Sequence, residues 1–128
     1  MCWTRLTTGP IQVQILNCYL EGGDSLYNKN RALRVIEIVR DILSQDVNAA
    51  ILVCGDFNNH LPTIDYQLSK LNFIPSLRSD IATHKFGNQL DQVYARGITI
   101  TNAVVNQNLD HKVTDHTCIK VTLKPNPP

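Results

Sequence analysis

Asp56 and Asn58 stand two residues apart directly after the apolar run Ala49-Ala50-Ile51-Leu52-Val53-Cys54 and Gly55. A buried strand ending there presents the carboxylate and the carboxamide on the same side of its C-terminal end. The carboxylate can orient or deprotonate a water, and the amide can donate to an anionic oxygen. Asp115 and His116, preceded by Thr114, form a second polar pair suited to metal binding or acid–base work. Asp91 interrupts the strand-like Leu90-Asp91-Gln92-Val93, where a carboxylate is expensive to bury unpaired. A histidine is its least costly partner, so Asp91 and His116 are a candidate dyad in which the carboxylate holds the imidazole tautomer. Tyr19, at another strand end, reads equally as a packing ring with a wet hydroxyl or as a functional group. His84 precedes the Asp91 strand and can reach the same mouth. His60 and His111 lie in polar loops, where solvated imidazoles are the rule, and Asp24 and Asp110 read as turn residues.

The elements that would carry these groups follow from periodicity. Residues 11–20 alternate and then become apolar on both faces, as a strand does on entering a core. Across 28–45, Ala32, Val35, Ile36, Val39, Ile42 and Leu43 recur at helical spacing opposite Arg31, Arg34, Glu37 and Asp41. Residues 49–54 read as a strand covered on both faces, 64–71 as a short helix, and 90–95, 98–105 and 118–123 as strands. The proline-rich tail cannot continue a central strand. This order predicts an α/β fold, a mixed sheet with helical cover, in one domain of 128 residues.

Composition narrows the function classes. A formal net charge of +1, with Lys and Arg scattered singly, leaves no broad nucleic-acid footprint, so such a ligand needs a local cleft. No apolar run approaches the roughly 18 residues of a membrane helix, which predicts no membrane partner. Cys2, Cys18, Cys54 and Cys118 lack metal-ligand spacing. They read as reduced and mostly strand-buried, which predicts a reducing intracellular compartment, nucleus or cytoplasm, with an organelle as the alternative. Residues 1–10 have neither a signal core nor the basic content of a transit peptide.

Taken in order, Asn17-Cys18-Tyr19, Gly55-Asp56-Phe57-Asn58, Leu90-Asp91-Gln92-Val93 and Thr114-Asp115-His116 resemble the motif series of the endonuclease/exonuclease/phosphatase superfamily. The stretch from Thr83 and His84 through Asn88 to Asp91 is similar, more narrowly, to the endonuclease domains of non-LTR retrotransposons. The resemblance spans residues 5–123. It implies part of a β-sandwich of two packed sheets flanked by helices, and metal-dependent hydrolysis of nucleic-acid phosphodiesters. It further implies that Asp56 positions or deprotonates the attacking water and that Asn58 holds that water and the phosphate. His116, oriented by Asp91, would contact the scissile phosphate and Tyr19 another phosphate oxygen. Asp115 would lie at the metal, Mg²⁺ with Mn²⁺ as substitute, and Thr83, His84 and Asn88 would meet substrate. Thr114 stands where the family commonly has Ser.

The departure from the pattern carries equal weight. Superfamily members begin with a half that supplies an Asn and then a Glu, the principal metal ligand. Glu21 and Glu37 are the only glutamates here, one in a turn and one on the polar face of the helix, so neither matches it. The expectation is a truncated domain, a weakly held metal, and an apolar sheet face covered by a protein partner or a second copy. Three functions stay open: a DNA-binding nuclease by descent that does not turn over alone, a degenerate non-catalytic subunit, or a superfamily hydrolase of inositol phosphates, sphingolipids or nucleotide caps.

Overall fold

A computed structural model describes residues 1–106 and 114–127 of the chain. His111 and Asp110 lie outside the described residues. Strand β1, Cys2–Thr8, turns at Gly9, whose φ of 57° suits glycine, into β2, Ile11–Tyr19. The two pair antiparallel from Cys2 opposite Asn17 to Thr8 opposite Ile11. The sequence reading missed β1 because all seven of its residues are exposed, so it has no burial period to read.

Helix α1, Leu26–Gln45, begins two residues before the predicted start. Ser25 sets that start, its Oγ accepting the Asn28 N–H at 3.1 Å. Ala32, Val35, Ile36, Val39 and Ile42 form its buried face. Strand β3, Ala50–Asp56, returns parallel to β2. A 3₁₀ turn, Asn58–His60, leads into α2, Leu61–Lys70, with Pro62 in its first turn. The short β4, Ile74–Pro75, and β5, Asp91–Arg96, complete a five-stranded sheet in the order β1-β2-β3-β5-β4, and β6, Ile98–Asn106, pairs with β7, Cys118–Pro125, as a separate ribbon.

Strand alternation divides the core. Leu16, Ile51, Val53 and Tyr94 point to one face and pack with α1 and α2, where Phe57 meets the Tyr94 ring edge-on at 6.0 Å. Val13, Leu52 and Ala95 point to the other and pack with Ile98, Ile100 and Leu123 of the ribbon. The sheet face expected to lie bare is therefore covered in part from within the chain. Gln92 is buried on the helix side, its Oε1 accepting from Ser76 Oγ and the Leu77 and Val93 N–H groups, its Nε2 donating to Leu77 O at 3.0 Å.

Two further expectations are corrected. Cys18 is buried and Cys54 half-buried, but Cys2 and Cys118 are exposed, because β1 and β7 each leave a side open to solvent; all four are free thiols. His60 is not solvated: it is buried, with Nε2 3.0 Å from Glu21 O, and ties the 3₁₀ turn to the loop after β2. Among the described residues no helix is long and apolar enough to cross a membrane.

Candidate active site

The site begins as a row across three strands. Tyr19 at the end of β2 is in register with Asp56 at the end of β3, and Asp56 with Asp91 at the start of β5. Register partners share a face, so hydroxyl and both carboxylates emerge on the ribbon side. Gly55 makes the approach of β2 and β3 possible. Its φ is 134°, and a Cβ there would stand 1.9 Å from Cys18 O. Like charges side by side oppose one another, so this row needs a cation or a proton.

His116 supplies it from the segment 114–117. That segment is fastened to 83–85 by an antiparallel bridge between His84 and His116, by the Lys85 N–H on Asp115 O at 2.8 Å and by the Thr117 N–H on Thr83 O at 2.9 Å. His116 Nδ1 lies 2.7 Å from Asp91 Oδ2, and its Nε2 lies 3.5 Å from Asp56 Oδ2. Burial alone would lower the imidazole pKa. The hydrogen bond to Asp91, with the charges of Asp91, Asp56 and Asp115, outweighs burial and raises it. Asp56 is pushed up chiefly by burial, against the Asn58 N–H that its Oδ1 accepts at 2.9 Å; Asp91 pushes the same way as burial.

Asn58 lies beyond the strand that carries Asp56. Phe57 leaves the strand at φ −94°, ψ −4°, and Asn58 has φ 53°, so strand alternation ends at Asp56. The Asn58 amide donates instead to Leu20 O at 3.3 Å, beside Tyr19. Tyr19 is 64% exposed. Thr83 cannot meet substrate: it is wholly buried, and its Oγ1 accepts the Leu90 and Asp91 N–H groups at 3.0 Å each. Its role is to position Asp91. His84 packs edge-on against His116 with centroids 5.0 Å apart, and Asn88 is exposed, its carbonyl closing the turn at 83–88. Lys85, which sequence reasoning passed over, lies 3.0 Å from Asp115 Oδ1.

Asp56, Asp91 and His116 could hold a metal ion, their ligand atoms lying within 4.8 Å of one another. Asp115 is not in that group, and the Lys85 ammonium already compensates its carboxylate. The residues present thus do not fit the Mg²⁺ site that the resemblance implies at Asp115. The group that does converge includes an imidazole nitrogen, a donor that suits transition ions better than Mg²⁺. It opens on a depression of about 250 Å³ lined by Asp56, Asp91, Thr117 and Ile119 among others. A larger groove, about 840 Å³, lies at the opposite strand ends. Among the described residues Asp46 and Arg96 are its only charged lining, and Arg96 is spent on Val47 O at 2.7 Å, so no catalytic group of theirs converges there. Compared with protein-family models and with curated proteins, the chain matches none.

Proposed function

We propose that the chain is a partial member of the endonuclease/exonuclease/phosphatase superfamily, of the non-LTR retrotransposon endonuclease type, with a site shaped for nucleic-acid phosphodiesters. The observation that carries this reading is the imidazole of His116 lodged between Asp91 and Asp56, three residues from separate segments meeting in the motif order. The ribbon packed on the sheet face away from the helices agrees with part of such a sandwich.

The roles follow from position. Asp91 takes the Nδ1 proton of His116 in a hydrogen bond, leaving Nε2 toward Asp56 and the mouth. Protonated, His116 offers its charge to a phosphate oxygen as negative charge develops. Asp56 accepts the proton of a water approaching the phosphorus. Tyr19 reaches a non-bridging oxygen through its exposed hydroxyl.

Charge limits what the chain does alone. Among the described residues, the carboxylates of Asp56, Asp91 and Asp115 are set beside the Lys85 ammonium and the imidazoles of His84 and His116, and a phosphodiester adds further negative charge. Purified chain, given plasmid DNA with Mg²⁺ or Mn²⁺, is expected to nick no more than its His116→Ala variant. Metal-dependent nicking that Asp56→Ala abolishes would instead show a complete site. Turnover of an inositol phosphate or sphingolipid phosphodiester would move the substrate outside nucleic acid.

The non-catalytic reading has its own support in β1, which borders the sheet with Trp3 and Leu6 each about half exposed. An open strand edge of this kind is a template for another chain.

A further inference from the structure

Phe86 is 76% exposed, the most exposed large apolar side chain among the described residues. A single exposed phenylalanine ordinarily needs no explanation. This one is held still beside the site. The Gly87 N–H meets His84 O at 2.9 Å, the Thr83 and His84 N–H groups meet Asn88 O at 2.9 and 3.1 Å, and the Phe86 N–H meets His84 Nδ1 at 3.3 Å. The same turn is fastened to 115–117 through Lys85 and the His84–His116 bridge. A tip tied at so many points loses little freedom on binding, so its exposure favours contact with a ligand.

Two contacts give the ligand its chemistry. The His84 ring lies 5.0 Å from that of His116 and 5.2 Å from that of Phe86, so three rings run from the dyad to the surface. Lys85 Nζ stands 5.0 Å from the Phe86 centroid. An aromatic face with a cation at its side suits a nucleobase joined to a phosphate.

We propose that Phe86, backed by His84 and flanked by Lys85, is the stacking platform for one unpaired nucleobase adjoining the phosphodiester presented to His116. The inference rests on the nuclease reading and adds the substrate class: single-stranded or locally opened nucleic acid. Within a duplex both faces of a base are covered by its neighbours, so the ring can stack only where a base is unstacked.

Fluorescence anisotropy in Mn²⁺ buffer tests this with two labelled probes of equal length, an oligothymidylate and an oligomer of abasic tetrahydrofuran residues. Wild type is expected to bind the thymidylate about tenfold or more tighter, the range of one base–aromatic stack. Phe86→Ala should erase that preference and leave abasic binding unchanged, and Phe86→Trp should restore it. The platform is refuted if wild type binds both probes alike, if Phe86→Ala keeps the preference, or if it weakens both probes equally. Failure of wild type to bind either probe would instead refute the nuclease reading on which the platform rests.

Discussion

His116 is the residue whose protonation the site controls, since both of its nitrogens face carboxylates. Its pKa is raised above the ordinary 6.5, burial opposing and Asp91 prevailing. The pairing therefore stabilises the folded chain fully below the unfolded value, and the contribution is lost as pH rises through the folded one. In urea unfolding, the stability difference between wild type and His116→Gln is expected to shrink across that window. Asp91→Asn should bring the histidine's NMR titration midpoint down. Asp56 also costs stability as pH rises, by another route: its raised pKa means the charged form opposes folding, a penalty absent below about 3.8 and complete above the folded value. Gly55 and Gly87 form a second residue-scale comparison. Both have positive φ, but a Cβ at Gly87 meets open space, whereas at Gly55 it meets the β2 backbone. Gly87→Ala should cost about 1 kcal/mol for conformation alone, and Gly55→Ala more than about 3 kcal/mol, or prevent folding. Thermal denaturation of the two variants checks the difference.

At the scale of elements, the turn at 83–88 holds the start of β5 in place through one hydroxyl. Thr83→Val keeps the shape and leaves the Leu90 and Asp91 N–H groups without their acceptor, at a cost of about 1–3 kcal/mol for a buried donor. Faster hydrogen exchange confined to those two amides, with α1 unaffected, is the expected signature. That turn also marks where the sequence became hard to read. Helix α1 and strands β2, β3 and β5 were legible because a buried face leaves a period in the chain. The pairing of Asp91 with His116 was legible from chemistry, since a carboxylate in a strand needs a partner. Thr83 gave no such signal: its hydroxyl serves residues seven and eight positions on, and the resemblance of its stretch implied a substrate contact. Lys85 finds Asp115 only because two short segments far apart in sequence lie side by side. Strand alternation does not place Asn58 beside Asp56, because the strand ends one residue before Phe57.

At the scale of the whole molecule, the ribbon covers part of the sheet but leaves β1 as an open border. Light scattering is expected to show concentration-dependent association, reduced in a Leu6→Lys variant, since a charge at an edge discourages pairing. A sharp monomer at every concentration would assign that border no role. The row of carboxylates also links ligand binding to folding. A divalent ion held by Asp56, Asp91 and His116 stabilises the native state by about 2.7 kcal/mol at a hundred times its Kd. Mn²⁺ should therefore raise the melting temperature of wild type and have less effect on Asp56→Asn. The spacing of the row has one more consequence. Positions 19, 56, 91 and 116 are brought together by a parallel crossover, an antiparallel return and a distant clasp, so no stretch much shorter than the chain contains the site. Closures of this span are the slow steps of folding. In a refolding experiment, the onset of Mn²⁺ binding would time the last of them, making the ion a stopwatch for topology.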